Sequence, residues 1–287
     1  MTSLKGISLI GGDKRQQYIG SYFHNKGYQV YSFSNSAGFN ICCSLEEIIK
    51  KSNIIILPIP VTGKPGFINT CSDIPLLCES LIEKLSPSHI LFGGCFPENM
   101  ITFFELNKIH YYDFMKDTKI AYLNSIATAE GAIMEAIKES NINIHNSNIL
   151  VTGFGKCAKT LSSRLNALNG HITIAARSEN DLGCAALYGY KTITIKDIPS
   201  YAKNFDYIFN TIPALIIEKE TISQLKKECL IIDIASYPGG IDFNEARYQN
   251  IKALLKLSLP GRVSPASSGY ILSDCIEKKL QVLYERM

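Results

Sequence analysis

The chain has 287 residues, 46% hydrophobic and 19% charged, with a formal net charge of +3. That length suits two domains of ordinary size with well-filled cores, and so small a charge, carried without a long basic block, argues against a nucleic-acid partner. No apolar run approaches membrane-spanning length, and Met1-Thr2-Ser3-Leu4-Lys5 leads straight into a strand without a signal-peptide pattern, so a cytoplasmic protein without membrane attachment is expected.

The first predicted strand covers residues 6–10 and turns at Gly11-Gly12-Asp13. A helix over residues 15–26 follows, stopped by Gly27, and then a strand at residues 28–33. Asp13, Lys14 and Arg15 fall beyond the strand carboxyl end, where an open α/β sheet places its ligand. They are candidates for a polar, carboxylated substrate. The alternative is that Asp13 caps the helix and the two basic residues are solvated. Residues 53–58 form a buried-strand run that breaks at Pro58 and Pro60, leading into a loop over residues 61–66. Another strand at residues 89–94 ends in glycines, and residues 120–124 complete the first half. A helix then opens at Ser125, with Ile126, Ile133 and Ile137 on one face, and crosses from the first domain to the second. Thr128 and Glu130 in its first turn would border the interdomain cleft; otherwise Glu130 only complements the helix dipole, worth ~0.3–1 kcal/mol. Polar residues 141–148 complete the linker.

The strongest signal is Ile149-Leu150-Val151-Thr152-Gly153-Phe154-Gly155-Lys156-Cys157-Ala158. An apolar run enters a turn with Gly at 153 and 155 and Ala at 158. Helical spacing of Ala158, Leu161, Leu165 and Leu168 follows at once, with Gly170 placed to end the helix. This is a dinucleotide-binding G-x-G-x-x-G/A fingerprint between strand and helix. Gly153 permits the turn, Gly155 lets backbone N–H groups approach a diphosphate, and Ala158 allows close helix–strand packing. Asp13 stands in the matching turn of the first half, where its carboxylate would repel a phosphate, so the dinucleotide belongs to the second half. The strand at residues 171–176 ends in Arg177-Ser178, with no acid before Glu179. An Arg at this position suits the 2′-phosphate of NADP, whereas NAD sites place a carboxylate there. Strands at residues 206–213, 229–236 and 251–257 should bring Asn210, Thr211, Ile212, Pro213, Ala235 and Ser236 to the nicotinamide half. The loop Tyr237-Pro238-Gly239-Gly240 follows the second of them. Residues 267–283 read as a helix packing back across the domain junction. The nine cysteines are odd in number and lack C-x-x-C pairs, and read as reduced, mostly buried thiols. Cys157 reads as a packing residue despite its place at a helix start. The five histidines form no ligand-spaced pair, so no metal is expected.

The fold expected is α/β: two Rossmann-like, doubly wound parallel-sheet domains with a cleft between them, joined by crossing helices. Residues 1–125 form the substrate domain, 126–147 the connecting helix and linker, 148–262 the NADP-binding domain and 263–287 the returning helix.

Several stretches together resemble the A-type subunits of dipicolinate synthase from spore-forming bacteria. They are Ile10-Gly11-Gly12-Asp13-Lys14-Arg15-Gln16, Asn124-Ser125-Ile126-Ala127-Thr128-Ala129-Glu130-Gly131, Asn210-Thr211-Ile212-Pro213, Ala235-Ser236-Tyr237-Pro238-Gly239-Gly240-Ile241-Asp242-Phe243 and Leu259-Pro260-Gly261. The resemblance runs in order from about residue 6 to 280. It implies a cytoplasmic, mother-cell protein that works with a flavoprotein-like B subunit, forming a homodimer or larger assembly. Together they would oxidise a dihydro or hydroxytetrahydro intermediate to dipicolinate with NAD(P) as acceptor, NADP being favoured here. The family usually has Pro where Ala127 stands, Gly at the position of Ala158 and Lys at the position of Ala266. The missing Lys removes a positive partner for a substrate carboxylate.

On this reading Arg15 holds a carboxylate of a small dicarboxylate substrate. Asp13 or Glu130 accepts a proton, and Gly12, Asn124, Ser125 and Thr128 contact the ring together with Ser236, which is also placed in catalysis. The cofactor set is Gly153, Phe154, Gly155, Lys156, Cys157, Ala158, Arg177, Ser178, Asn210, Thr211, Ile212, Pro213, Ala235 and Ser236. A shikimate-dehydrogenase-like NADP oxidoreductase shares the two-domain plan. A 2-hydroxy-acid dehydrogenase is disfavoured, because its late His is missing: the last His here is His171. A nucleotide-binding scaffold whose partner does the chemistry is the third reading.

Overall fold

A computed structural model describes residues 6–71 and 75–285, so the Met1-Thr2-Ser3-Leu4-Lys5 lead-in lies outside the described residues. The chain forms two compact units, residues 1–123 with 264–287, and residues 124–263. Within the described residues no helix is long and apolar enough to cross a membrane.

The first unit begins with β1 (Gly6–Ile10), α1 (Arg15–Asn25), β2 (Gln29–Phe33), α2 (Leu45–Lys51) and β3 (Ile54–Ile56). Three short strands follow, β4 (Thr62–Lys64), β5 (Phe67–Ile68) and β6 (Leu76–Leu77), and then α3 (Cys78–Ile82), β7 (Ile90–Gly93), α4 (Glu98–Leu106) and β8 (His110–Asp113). The main sheet is parallel in the order β2-β1-β3-β7-β8, while β4-β5-β6 form a separate antiparallel sheet, of which β4 falls in the loop expected over residues 61–66. Short, mostly apolar runs buried on both faces make the central strands, with Ser8 of β1 donating to the Ile48 carbonyl at 2.9 Å. Ile55, Leu57 and Leu91 enter one core, and Ile54, Ile56 and Phe92 the other.

The connecting helix α5 (Thr118–Glu139) opens seven residues earlier than Ser125. The Asp117 carboxylate accepts from the Ile120 N–H at 3.0 Å, so residues 120–123 are helical. Its buried face also differs from the predicted one. Ala129, Ala132 and Ala136 are at most 1% exposed, whereas Ile137 is 61% exposed. Small residues win because neighbours approach closely: a Cβ on Gly131 would come within 3.1 Å of Leu259.

The second unit continues with β9 (Asn148–Thr152), α6 (Lys156–Ala167), β10 (His171–Ala176), α7 (Glu179–Leu187), β11 (Lys191–Thr194), α8 (Ile198–Tyr201) and β12 (Tyr207–Asn210). It ends with α9 (Lys219–Ile222), β13 (Leu230–Asp233), α10 (Phe243–Tyr248), β14 (Lys252–Leu255) and α11 (Leu259–Val263). The sheet is parallel in the order β11-β10-β9-β12-β13-β14, which is the 3-2-1-4-5-6 winding of a Rossmann fold. Side chains alternate across it: Tyr207 and Phe209 fill one core and Ile208 the other. Helix α6 is capped at its C-terminus by Leu168, which is 42% exposed, and Asn169 rather than Gly170 takes the left-handed conformation, φ 59°. Gly170 closes the turn through its N–H to the Leu165 carbonyl at 3.0 Å.

The last helix, α12 (Pro265–Glu285), belongs to the first unit. Leu272, Cys275, Ile276 and Leu280 join Ile7, Leu9, Ile19 and Phe23 in one core. A Cβ on Gly269 would come within 2.7 Å of the Tyr18 Cβ, so the glycine sets how closely α12 meets α1.

Candidate functional site

In the first unit the candidate residues sit where β1 gives way to α1. Gly11 and Gly12 have φ of 64° and 94°, conformations that favour glycine. The Gly12 N–H donates to the Asn69 carbonyl at 2.7 Å, which ties the turn to the residue after β5. Arg15 is 6% exposed and grips Asp13: Nε donates to Oδ1 at 2.9 Å and Nη2 to Oδ2 at 2.8 Å. Nη2 also donates to the Ile59 carbonyl, and the Asp13 Oδ1 accepts from the Arg15 backbone N–H at 3.0 Å. Asp13 thus acts as turn acceptor and ion-pair partner together. The structure brings Asp13, Arg15 and Gly12 into one place, but with the carboxylate engaged by the guanidinium. Asp113, which no sequence motif singles out, is 7% exposed and accepts from the N–H groups of Cys95, Phe96 and Met115, ordering the turn after β7.

The other substrate candidates belong to the second unit. Ser125 Oγ lies 2.7 Å from Thr160 Oγ1, and Thr128 Oγ1 donates to the Asn124 carbonyl at 3.1 Å. The Thr128 hydroxyl is therefore tied to its own helix, and Asn124 serves it as a backbone acceptor. Glu130 is exposed, its carboxylate 3.8 Å from Arg164 Nε. Ser236 is exposed in the loop after β13, its carbonyl accepting from the Gly239 N–H at 2.8 Å.

The fingerprint turn is built as its spacing requires. Gly153 has φ 78° and donates its N–H to the Ala175 carbonyl at 2.7 Å, and Gly155 is the extended residue that starts α6, with φ −76°. A Cβ on Gly153 would lie 3.0 Å from Thr211 Oγ1, whereas one on Gly155 meets no atom of the described residues within 4 Å. The first glycine is demanded by the fold; the second leaves the surface above the α6 N-terminus clear. An open approach to the start of a helix, with its unpaired first-turn N–H groups and its positive end, is what a diphosphate needs. Ala158 is fully buried against the sheet. Phe154 is 2% exposed and packs edge-on to Tyr188 and Tyr190, so its ring is structural and only its backbone can face a ligand. Burial pushes the Cys157 thiol up, in keeping with a packing role. Lys156 is half-buried in the first turn.

Arg177 is exposed directly after β10, and Ser178 caps α7 by accepting from the Asp181 N–H at 3.4 Å. Ile212 and Thr211 are half-buried and Pro213 is exposed; Ala235 is 3% exposed. Asn210 departs from its predicted role. Its side chain is fully buried and engaged with Thr152, Asp233 and the Ile212 backbone, so it cannot reach a cofactor.

Comparison with known proteins agrees with both halves of this picture. Residues 6–115 match the family model of the N-terminal domain of the dipicolinate synthase A-type subunits, and residues 135–254 match that of shikimate / quinate 5-dehydrogenases. The A-type dipicolinate synthase subunit of Bacillus subtilis (strain 168) is 32% identical over 98% of this chain and 97% of its own length. The crystal structure of the corresponding dipicolinate synthase subunit from Bacillus halodurans superposes with a TM-score of 0.85 at 30% identity, covering 98% of this chain and 99% of that one. A transhydrogenase from Sinorhizobium meliloti shares the fold, with a TM-score of 0.70 at 12% identity over 97% of this chain and 94% of its own. The second unit is a dehydrogenase-type Rossmann domain, and a nicotinamide dinucleotide is the cofactor class it indicates.

Proposed function

The chain belongs to the family of A-type dipicolinate synthase subunits, and from that membership we propose that it oxidises a dihydro or hydroxytetrahydro precursor of dipicolinate with NADP as acceptor. The observation that carries the redox reading is the pair of glycines after β9, one obligatory for the backbone and the other open toward solvent. In this reading the amides at the start of α6, residues 155–158, bind the diphosphate. The exposed Arg177 guanidinium pairs with the 2′-phosphate, which is why NADP is chosen over NAD. When bound, the nicotinamide supplies the hydride acceptor, and aromatisation of the substrate ring supplies the driving force. The protein then has to orient a dicarboxylate and take up one proton.

Arg15 is the cation assigned to a substrate carboxylate. Its pairing with Asp13 fixes its fork and makes Asp13 the residue that aims it. Glu130, exposed and not hydrogen-bonded by the guanidinium beside it, is the carboxylate assigned to the proton. Ser236, exposed after β13, is assigned to the ring, whereas Ser125, 1% exposed with its Oγ on Thr160, and Thr128, tied to its own helix, are not. The partner in this reading is a flavoprotein-like B subunit; the state is homo-oligomeric and the location the mother-cell cytoplasm. All three are carried over from the family resemblance.

The match of residues 135–254 to shikimate / quinate 5-dehydrogenases supports a second reading, in which the chain turns over its substrate alone. Purified chain, with and without a B-type subunit, is assayed for NADP⁺ reduction on freshly generated dihydrodipicolinate. Reduction that requires both subunits supports the proposal, and turnover of a shikimate-type substrate by the chain alone supports the alternative. Absence of nicotinamide nucleotide binding to either preparation refutes both.

A further inference from the structure

Three polar side chains stand side by side at the carboxyl ends of neighbouring strands in the second unit, and all three are 0% exposed: Thr152 of β9, Asn210 of β12 and Asp233 of β13. The Thr152 hydroxyl donates to Asn210 Oδ1 at 2.6 Å, and Asn210 Nδ2 donates to Asp233 Oδ1 at 2.8 Å. The same Asp233 oxygen accepts from the Ala235 N–H at 3.0 Å, and its other oxygen from the Gly240 N–H at 2.7 Å. The network also reaches the turn after β12. The Thr211 N–H donates to Thr152 Oγ1 at 3.2 Å, the Ile212 N–H to Asn210 Oδ1 at 3.1 Å, and Asn210 Nδ2 to the Ile212 carbonyl at 3.0 Å.

Every partner of the Asp233 carboxylate is a donor, so the ionised form is the one the site accommodates. Burial pushes this carboxyl up, opposed by the donors from Gly240, Asn210 and Ala235. A buried carboxylate facing only neutral donors is a costly choice for a strand whose other residues are Leu230, Ile231 and Ile232. Its return lies in the loops. A Cβ on Gly239 would come within 2.5 Å of Asp233 Oδ2, and one on Gly240 within 2.5 Å of the Ala214 carbonyl. The 235–240 loop is therefore drawn onto the carboxylate and against the 212–214 turn as closely as glycine permits. Each network residue directly precedes or lies within two positions of a residue assigned to the cofactor: Gly153, Thr211, Ile212 and Ala235.

We propose that Asp233 is a positioning residue for the nicotinamide nucleotide, which through Asn210 and Thr152 holds the turns after β9, β12 and β13 in the arrangement that receives the cofactor, without touching it. This rests on the nicotinamide reading above. Asp233→Asn keeps the side-chain volume but leaves one oxygen, which can serve Gly240 or the Ala235–Asn210 pair and not both; the amide NH₂ then confronts a donor.

The full chain and its variants are titrated with NADPH and with NADH, and backbone hydrogen exchange is followed without ligand. Asp233→Asn is expected to weaken both nucleotides about tenfold. It should also speed exchange at residues 211–212 as well as 235–240, with the rest of β9 and β10 unchanged. Thr152→Val, which removes the far end of the chain of hydrogen bonds, should loosen the same turns, and the double variant should lose no more affinity than Asp233→Asn alone. Should Asp233→Asn not fold, Thr152→Val carries the same two readouts. Wild-type binding with unchanged affinity in the variants, faster exchange confined to 235–240, or additive losses in the double variant would overturn this proposal alone. Failure of the wild type to bind either nucleotide would overturn it together with the nicotinamide reading.

Discussion

Replacing Gly155 by alanine tests the fingerprint turn more sharply than removing a charged side chain, because the structure predicts a loss of binding with little change in stability. Gly155 has φ −76°, a value alanine adopts without strain, and the added Cβ meets no atom of the described residues within 4 Å. Reduced freedom of the unfolded chain, worth about 0.4–1 kcal/mol, is offset because Gly155 is the N-cap of α6, where alanine is disfavoured by a similar amount, so the variant should stay within about 0.5 kcal/mol of wild type. The same methyl group stands on the surface that backbone N–H groups present to the diphosphate. Losing one charge-assisted hydrogen bond there costs about 1.5–3 kcal/mol, a tenfold to hundredfold weakening. Gly153→Ala is the control. Its φ of 78° strains an L-residue by about 1–2 kcal/mol. The Cβ also crowds Thr211 Oγ1 at 3.0 Å, so this variant should lose stability and binding together. Thermal unfolding of the unliganded proteins and fluorescence titration with NADPH read the two quantities separately. Wild-type NADPH affinity in Gly155→Ala, or a stability loss equal to that of Gly153→Ala, would refute the assignment of this turn to a diphosphate.

Arg177→Ala should weaken NADPH about tenfold or more while leaving NADH unchanged, since only the former carries the 2′-phosphate; equal losses for both would remove Arg177 as the discriminating residue. Phe209→Ala, at a fully buried position stacked on Tyr207, should cost about 3–5 kcal/mol in urea unfolding, and a loss below about 1 kcal/mol would contradict the packing described. The Asp117 carboxyl is held below its usual range by the Tyr112 hydroxyl and by the Ile120 N–H at the start of α5. A depressed value in the folded state means that its contribution is complete above the ordinary carboxylate value of 3.8 and disappears as pH falls through the lower folded value. Asp117→Asn should therefore be less stable than wild type at about pH 6 and converge on it near pH 2; a pH-independent gap would refute this linkage.

The sheets were largely legible because their central strands are short, mostly apolar runs bounded by glycine, proline or small polar residues. Strand β8 was not, since His110, Tyr111, Tyr112 and Asp113 carry polar groups that mask an extended run. The two- and three-residue strands β5 and β4 are too short to show any periodicity. Ile120, Ala121, Tyr122 and Leu123 look like strand in isolation, and only the Asp117 cap shows that they are helical. The fingerprint could be read because the backbone conformation of Gly153 and the clearance above Gly155 depend on residue type at fixed spacing. The engagement of Asp13 by Arg15 and the burial of Asn210 could not be read. The first depends on a side-chain fork folding back over two residues. The second depends on Thr152, Asn210 and Asp233, 58 and 23 positions apart in successive pairs, meeting across adjacent strands.

The first unit draws on both ends of the chain, with α12 laying Leu272, Cys275, Ile276 and Leu280 over α1 and β1. A polypeptide emerging from the ribosome therefore finishes residues 124–263, an unbroken segment, before the earlier-made sheet acquires its last covering helix. Until residue 280 is synthesised, Ile19 and Phe23 have no Ile276 or Leu280 to pack against. The strands of the first unit are made before the helix that covers them, and removing α12 strips apolar cover from β1 and α1.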